Sequence, residues 1–69
     1  MAKIKINLNG KITQIEENSS ISDLIENLGF DVKKIAIEKN LEIIFPDQYK
    51  LEIINSDDII EMIHFIGGG

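Results

Sequence analysis

The chain has no cysteine, no tryptophan and a single proline among its 69 residues. Without cysteine it can hold neither a disulfide nor a thiolate metal site, and no side chain offers a sulfur nucleophile. Arginine is also missing, and twelve acidic residues outnumber seven lysines, for a net charge of −5. A phosphate backbone or an anionic lipid surface attracts clustered basic groups, so neither nucleic acid nor a membrane is an expected partner. Histidine occurs once, at His64, and no serine sits in a G-x-S-x-G elbow, so no nucleophile–base pair is recognisable. His64 reads as a packed or edge residue of a strand. Apolar runs are broken by charge well before the roughly 18 residues of a membrane span. Met1-Ala2-Lys3-Ile4-Lys5 alternates instead of opening an apolar signal core, so the expected location is cytoplasmic. A chain this short buries only about 60% of its unfolded surface, which leaves room for one thin core and none for a cofactor domain. The expectation is a protein that binds no cofactor and is not an enzyme.

What the chain has in quantity is isoleucine, and its spacing predicts the elements. Ile4, Ile6 and Leu8 alternate with Lys3, Lys5 and Asn7, the period of a half-buried strand. Asn9-Gly10 then predicts a tight hairpin, because both residues accept positive φ. The return strand covers about residues 11–16, where Ile12 and Ile15 break strict alternation and predict a bulge or a register irregularity. Ser20 with Asp23 approximates a capping box. Ile21, Leu24, Ile25 and Leu28 form one apolar helical stripe, ended by Gly29 at the position of a left-handed cap. Asp31–Lys34 reads as a turn or one helical turn, Ile35–Ile37 as a short strand, Lys39-Asn40 as a turn, and Leu41–Phe45 as a strand stopped by Pro46. Leu51, Ile53 and Ile54 start another apolar segment. Asn55–Asp58 is a turn, and Ile59–Ile66 the last strand. Hairpin, helix and further strands make an α+β two-layer domain, β-β-α-β-β, with the helix on one face of one sheet.

The last strand is apolar on both faces, with Ile60 and Met62 on one side and Ile59, Ile63 and Phe65 on the other beside Glu61. Such a strand is expected in the centre of its sheet. One helix covers one face only, so the second apolar set is either exposed to a partner or covered by the loops around residues 46–54. Asp57, Asp58 and Glu61 lack the ligand ladder of a calcium loop and read as a solvated turn, leaving no metal site. After Ile66 come Gly67, Gly68 and Gly69. Residues 1–66 are thus expected to be the folded domain and 67–69 a flexible tail, whose glycines lack a Cβ and reach about 10 Å when extended. A terminal carboxylate is anionic at neutral pH and a poor electrophile. It becomes reactive once activated, for example as an acyl-adenylate, and a bare glycine terminus fits a narrow activating site.

This order of elements with its glycine end resembles the ubiquitin-like β-grasp fold, which implies a mixed sheet of about four to five strands packed on one helix. Leu8-Asn9-Gly10-Lys11, Ile35-Ala36-Ile37-Glu38 and above all Ile60-Glu61-Met62-Ile63-His64-Phe65-Ile66-Gly67-Gly68-Gly69 resemble the thiamin-biosynthesis sulfur carrier (ThiS) family, across the whole chain. The resemblance implies that an E1-like adenylyltransferase (ThiF type) activates Gly69 with ATP. A persulfide-bearing sulfurtransferase or cysteine desulfurase then makes a thiocarboxylate, and thiazole synthase (ThiG type) receives the sulfur. It also implies that Gly67 and Gly68 thread the partner's active site, while Glu61, Ile63 and Phe65 form the partner-binding face. Two turns depart from the family pattern: Asn40-Leu41 stands where Asn-Gly is frequent, and Ser56-Asp57-Asp58 where Asp-Gly-Asp is. A molybdopterin-synthase small-subunit-like carrier, a ubiquitin-like protein modifier and a non-covalent β-grasp module are the alternatives.

Overall fold

A computed structural model of the chain describes residues 2–65. The predicted tail at residues 67–69, and the end of the last strand at Ile66, lie outside the described residues. Strands β1 (Lys3–Leu8) and β2 (Lys11–Glu16) lead to helix α1 (Ile21–Asn27), followed by β3 (Ile35–Lys39), β4 (Glu42–Ile44) and β5 (Ile59–His64). They form one five-stranded sheet in the order β2-β1-β5-β3-β4. β1 and β5 run parallel, and the other pairs are antiparallel. This is the mixed sheet on one helix that the sequence predicts, with β5 in its centre.

Local chemistry sets the early elements. Asn9 and Gly10 take φ of 50° and 84°, a two-residue turn whose twist matches the flanking strands. β1 and β2 pair one-to-one from Lys3↔Glu16 to Leu8↔Lys11, so this pair has neither the expected bulge nor a register irregularity. Instead Thr13 takes the inward place opposite Ile6, and Ile12 turns to the other face, where it is exposed. At the helix start Ser20 Oγ accepts the Asp23 N–H at 3.0 Å, and Asp23 Oδ2 accepts the Ser20 N–H at 2.9 Å. Both bonds of the capping box form, at a site where losing the cap costs about 1 kcal/mol. The helix ends in a Schellman arrangement. Gly29, at φ 82°, donates to the Glu26 carbonyl and Phe30 to the Ile25 carbonyl.

The core lies between α1 and one sheet face. Ile6, Ile35, Ile37 and Ile60 from the sheet meet Ile21, Leu24 and Ile25 from the helix. Tyr49 and Ile54 close the same side: Tyr49 is buried with its hydroxyl donating to the Ile35 carbonyl at 2.9 Å. The Pro46–Gln48 turn and the residues after it therefore complete the helix-side layer, and among the described residues no element covers the opposite face of the sheet, where Ile12, Ile43, Ile59, Ile63 and Phe65 are exposed. The segment beginning at Leu51 forms no strand. Leu51 is exposed, Ile54 is buried, and Ile53 makes a lone bridge to Ser20.

Candidate functional site

β5 carries the site, and three sets of contacts determine its course. On one edge it pairs with β3 from Lys39↔Ile60 to Ile35↔His64, and the Phe65 N–H continues the ladder to the Lys34 carbonyl at 2.8 Å. On the other edge β1 pairs only at Asn7↔Ile59 and Leu8↔Ile60 before it turns away. The Asn9 side chain takes over there. Its Oδ1 accepts the Met62 N–H at 2.7 Å and its Nδ2 donates to the Met62 carbonyl at 3.2 Å. A side-chain amide thus stands in for the next residue of a strand.

The third set holds the start of β5. Asp58 is buried, at 8% exposure, and is not part of a solvated turn as the sequence suggests. Its Oδ2 accepts the Asn55 N–H at 2.8 Å, its Oδ1 accepts Asn40 Nδ2 at 3.0 Å, and Lys39 Nζ lies 3.6 Å away. Burial works to raise the Asp58 carboxyl, but the Asn55 N–H, the Asn40 amide and the Lys39 ammonium outweigh it and hold the group below the usual carboxylate range. Lys39 is bound chiefly by Glu52, at 2.8 Å, which raises the ammonium pKa against the opposing effect of burial. Asn40 also accepts the Ile59 N–H through Oδ1 at 2.8 Å. These partners are distant in sequence, and apart from the charge of Asp58 no local pattern announces them. Among the described residues there is no group of three or more His, Asp or Glu side chains arranged to hold a metal.

The two faces of β5 differ in kind. Ile60 is fully buried and Met62 partly so on the helix side, where His64 stacks on Phe30 with ring centroids 4.9 Å apart. His64 is therefore an exposed, ring-packed strand residue. On the outward side Ile59, Glu61, Ile63 and Phe65 are all exposed, Ile63 at 58% and Phe65 at 54%. Ile12 from β2 and Ile43 from β4 extend this surface across the sheet. It is an apolar face with Glu61 in it, running along the strand that leads toward Gly67, Gly68 and Gly69. Sequence reasoning placed Glu61, Ile63 and Phe65 on one face; it did not anticipate Ile43 or Glu38, which β3 and β4 bring alongside through long-range pairing.

Comparison with known proteins bears on this arrangement. A 65-residue sulfur carrier protein ThiS match, from Bacillus subtilis, is 34% identical and takes in 93% of this chain and 98% of that protein. A thiazole synthase from Magnetococcus marinus is 38% identical over 66 residues, 96% of this chain but 20% of that protein. One from Paramagnetospirillum magneticum is 35% identical, again over 20% of its length. The chain thus spans about a fifth of the length of these two relatives. The crystal structure of the thiamine biosynthesis protein (ThiS) from Geobacter metallireducens superposes with a TM-score of 0.80, covering 96% of this chain and all of that one at 22% identity, and so shares the fold. No helix among the described residues is long and apolar enough to cross a membrane. The ThiS family model matches residues 4–69, from β1 through the last glycine, and the chain belongs to the ThiS family.

Proposed function

We propose that the chain is a sulfur carrier whose Gly69 carboxylate is converted to a thiocarboxylate, and that the sulfur is used to build the thiazole of thiamin. The observation that carries this reading is the family match running unbroken from the folded sheet through Gly69. The geometry supports it, because the outward face of β5 supplies a docking surface along the strand leading to the glycines.

In this mechanism a carboxylate oxygen of Gly69 attacks the α-phosphorus of ATP on an E1-like adenylyltransferase, and pyrophosphate leaves. The terminal sulfur of a persulfide on a sulfurtransferase or cysteine desulfurase then attacks the acyl carbon and displaces AMP. A second thiol cleaves the resulting sulfur–sulfur bond, releasing the thiocarboxylate and leaving a disulfide on the donor side. The chain's own part is to present the tail: Gly67 and Gly68 thread the partner's active site, and Glu61, Ile63 and Phe65 dock. ATP belongs to the partner, and the chain acts as a co-substrate rather than a catalyst, in the cytoplasm where ATP and persulfide donors occur. Thiazole synthase is the acceptor in this reading, which is supported by relatives of that name that contain a segment similar to this chain.

The test is ATP–pyrophosphate exchange by the adenylating enzyme of the same cells, with the full chain and with a chain lacking Gly69. Exchange with the full chain alone supports the reading. Equal exchange with the truncated chain would refute Gly69 as the activated group.

A further inference from the structure

Glu38 and Glu61 are directly opposed across β3 and β5. The backbone bonds at Asn40–Ile59 and Lys34–Phe65 put them in a hydrogen-bonded pair of the ladder, with Cα atoms about 5.5 Å apart. Their neighbours Ile37 and Ile60 are buried against the helix, so both carboxylates project from the outward face. Like charges directly opposite each other in a sheet are destabilising. Nothing internal relieves this pair, since among the described residues the ion pairs made by Lys39 go to Glu52 and Asp58 on other ground. Of the lysines on the outward side, Lys3 and Lys5 lie at the far end of β1, across from Glu16 and Gln14, and Lys34 lies opposite Phe65, four residues before Glu38. The two carboxylates share a depression of ≈ 180 Å³ with Ala36, Ile43 and Ile63. They are a divalent anionic centre inside an apolar rim.

We propose that this face is built for a partner surface that inserts one arginine between Glu38 and Glu61, with apolar side chains around it. This rests on the carrier reading above, and the partner is the enzyme that adenylates the tail. A guanidinium suits the gap better than an ammonium: its planar fork offers five donors to two carboxylates, and it is more weakly hydrated. Glu61 is exposed and Glu38 half-buried in the free chain, so water still weakens their repulsion there and docking relieves it. The apolar rim contributes area, and the paired charges set orientation and exclude partners without a cation at that point.

The test titrates the adenylating enzyme with wild-type chain and with Glu38→Gln, Glu61→Gln and the double variant, following ATP–pyrophosphate exchange at low and high salt. The double variant is expected to raise the KM for the carrier at least tenfold at low salt while kcat stays within twofold. The wild-type KM should climb with salt and that of the double variant should not. Thermal unfolding of the free double variant should be no lower than wild type, because the repulsion is gone, and this separates lost docking from lost folding. A folded double variant with KM within twofold of wild type overturns the arginine clasp. Absence of exchange with the wild-type chain would instead refute the carrier reading, so the two failures are distinguishable.

Discussion

Asp58→Asn changes one atom of a buried group, and the structure makes it a severe change. Every partner of the Asp58 carboxylate is a donor: the Asn55 N–H, the Asn40 amide and the Lys39 ammonium. An asparagine must point its own N–H₂ at one of them, losing that bond and leaving a buried donor without an acceptor. A hydrogen bond to a charged group contributes about 1.5–3 kcal/mol, and an unsatisfied buried group costs about 1–3 kcal/mol. A loss of about 2–3 kcal/mol is therefore expected, roughly a 10–20 °C fall in Tm for a domain of this size. Urea unfolding should show a lower midpoint at unchanged slope. The pH dependence fixes the cause. The folded pKa of Asp58 is depressed, so its contribution is present above the unfolded carboxylate value and is lost as pH falls through the folded value. Wild type should lose this increment in acid below about pH 4, whereas the asparagine variant should lack it at neutral pH and show a flatter acid limb. A variant within 0.5 kcal/mol of wild type, on the order of an ordinary surface change, or one with an identical acid limb, would refute the role given to Asp58.

Three further predictions concern the turns and the face. Leu41 is 86% exposed at φ 71°, in the place where a two-residue turn prefers glycine, so Leu41→Gly should stabilise the chain by about 0.5–1 kcal/mol in urea unfolding; a loss of stability would count against the strain. Asn9→Gly keeps the positive φ but removes both bonds to Met62, so the Met62 amide should exchange faster and stability fall by about 1 kcal/mol; unchanged exchange would show that Asn9 does not hold β5. Phe65→Asp, at an exposed site, should weaken binding to the adenylating enzyme tenfold or more while leaving Tm within a few degrees; equal affinity in a titration would remove Phe65 from the interface.

The elements legible in the sequence are those whose causes are local. The Asn9-Gly10 turn, the Ser20–Asp23 capping box and the Gly29 cap each need only residues a few positions apart, and each forms. The two-sided apolar character of β5 likewise placed it in the sheet centre. Reasoning from spacing failed where long-range pairing decides. Ile12 and Ile15 suggest a bulge only if both must face inward; the register lets Ile12 face out and Thr13 in. Asp58 looks like a surface turn until Lys39 and Asn40 arrive from the β3–β4 corner. The Asn9 side chain meets Met62, 53 positions away, and nothing near Asn9 foretells it. Both departures from the family pattern, Leu41 and Asp57, adopt φ near +70°, the backbone geometry that glycine would supply. At these two turns a residue with a Cβ carries the strain of a positive φ.

The central claim is that Gly69 becomes a thiocarboxylate, and the chain's lack of cysteine makes it directly measurable. The full chain would be incubated with the adenylating enzyme, ATP and a persulfide donor, alkylated at once with a thiol reagent, and its intact and fragment masses read. The account predicts a single ATP-dependent adduct that maps to Gly69. An adenylated chain that never acquires an alkylatable sulfur, or an adduct elsewhere, would contradict it.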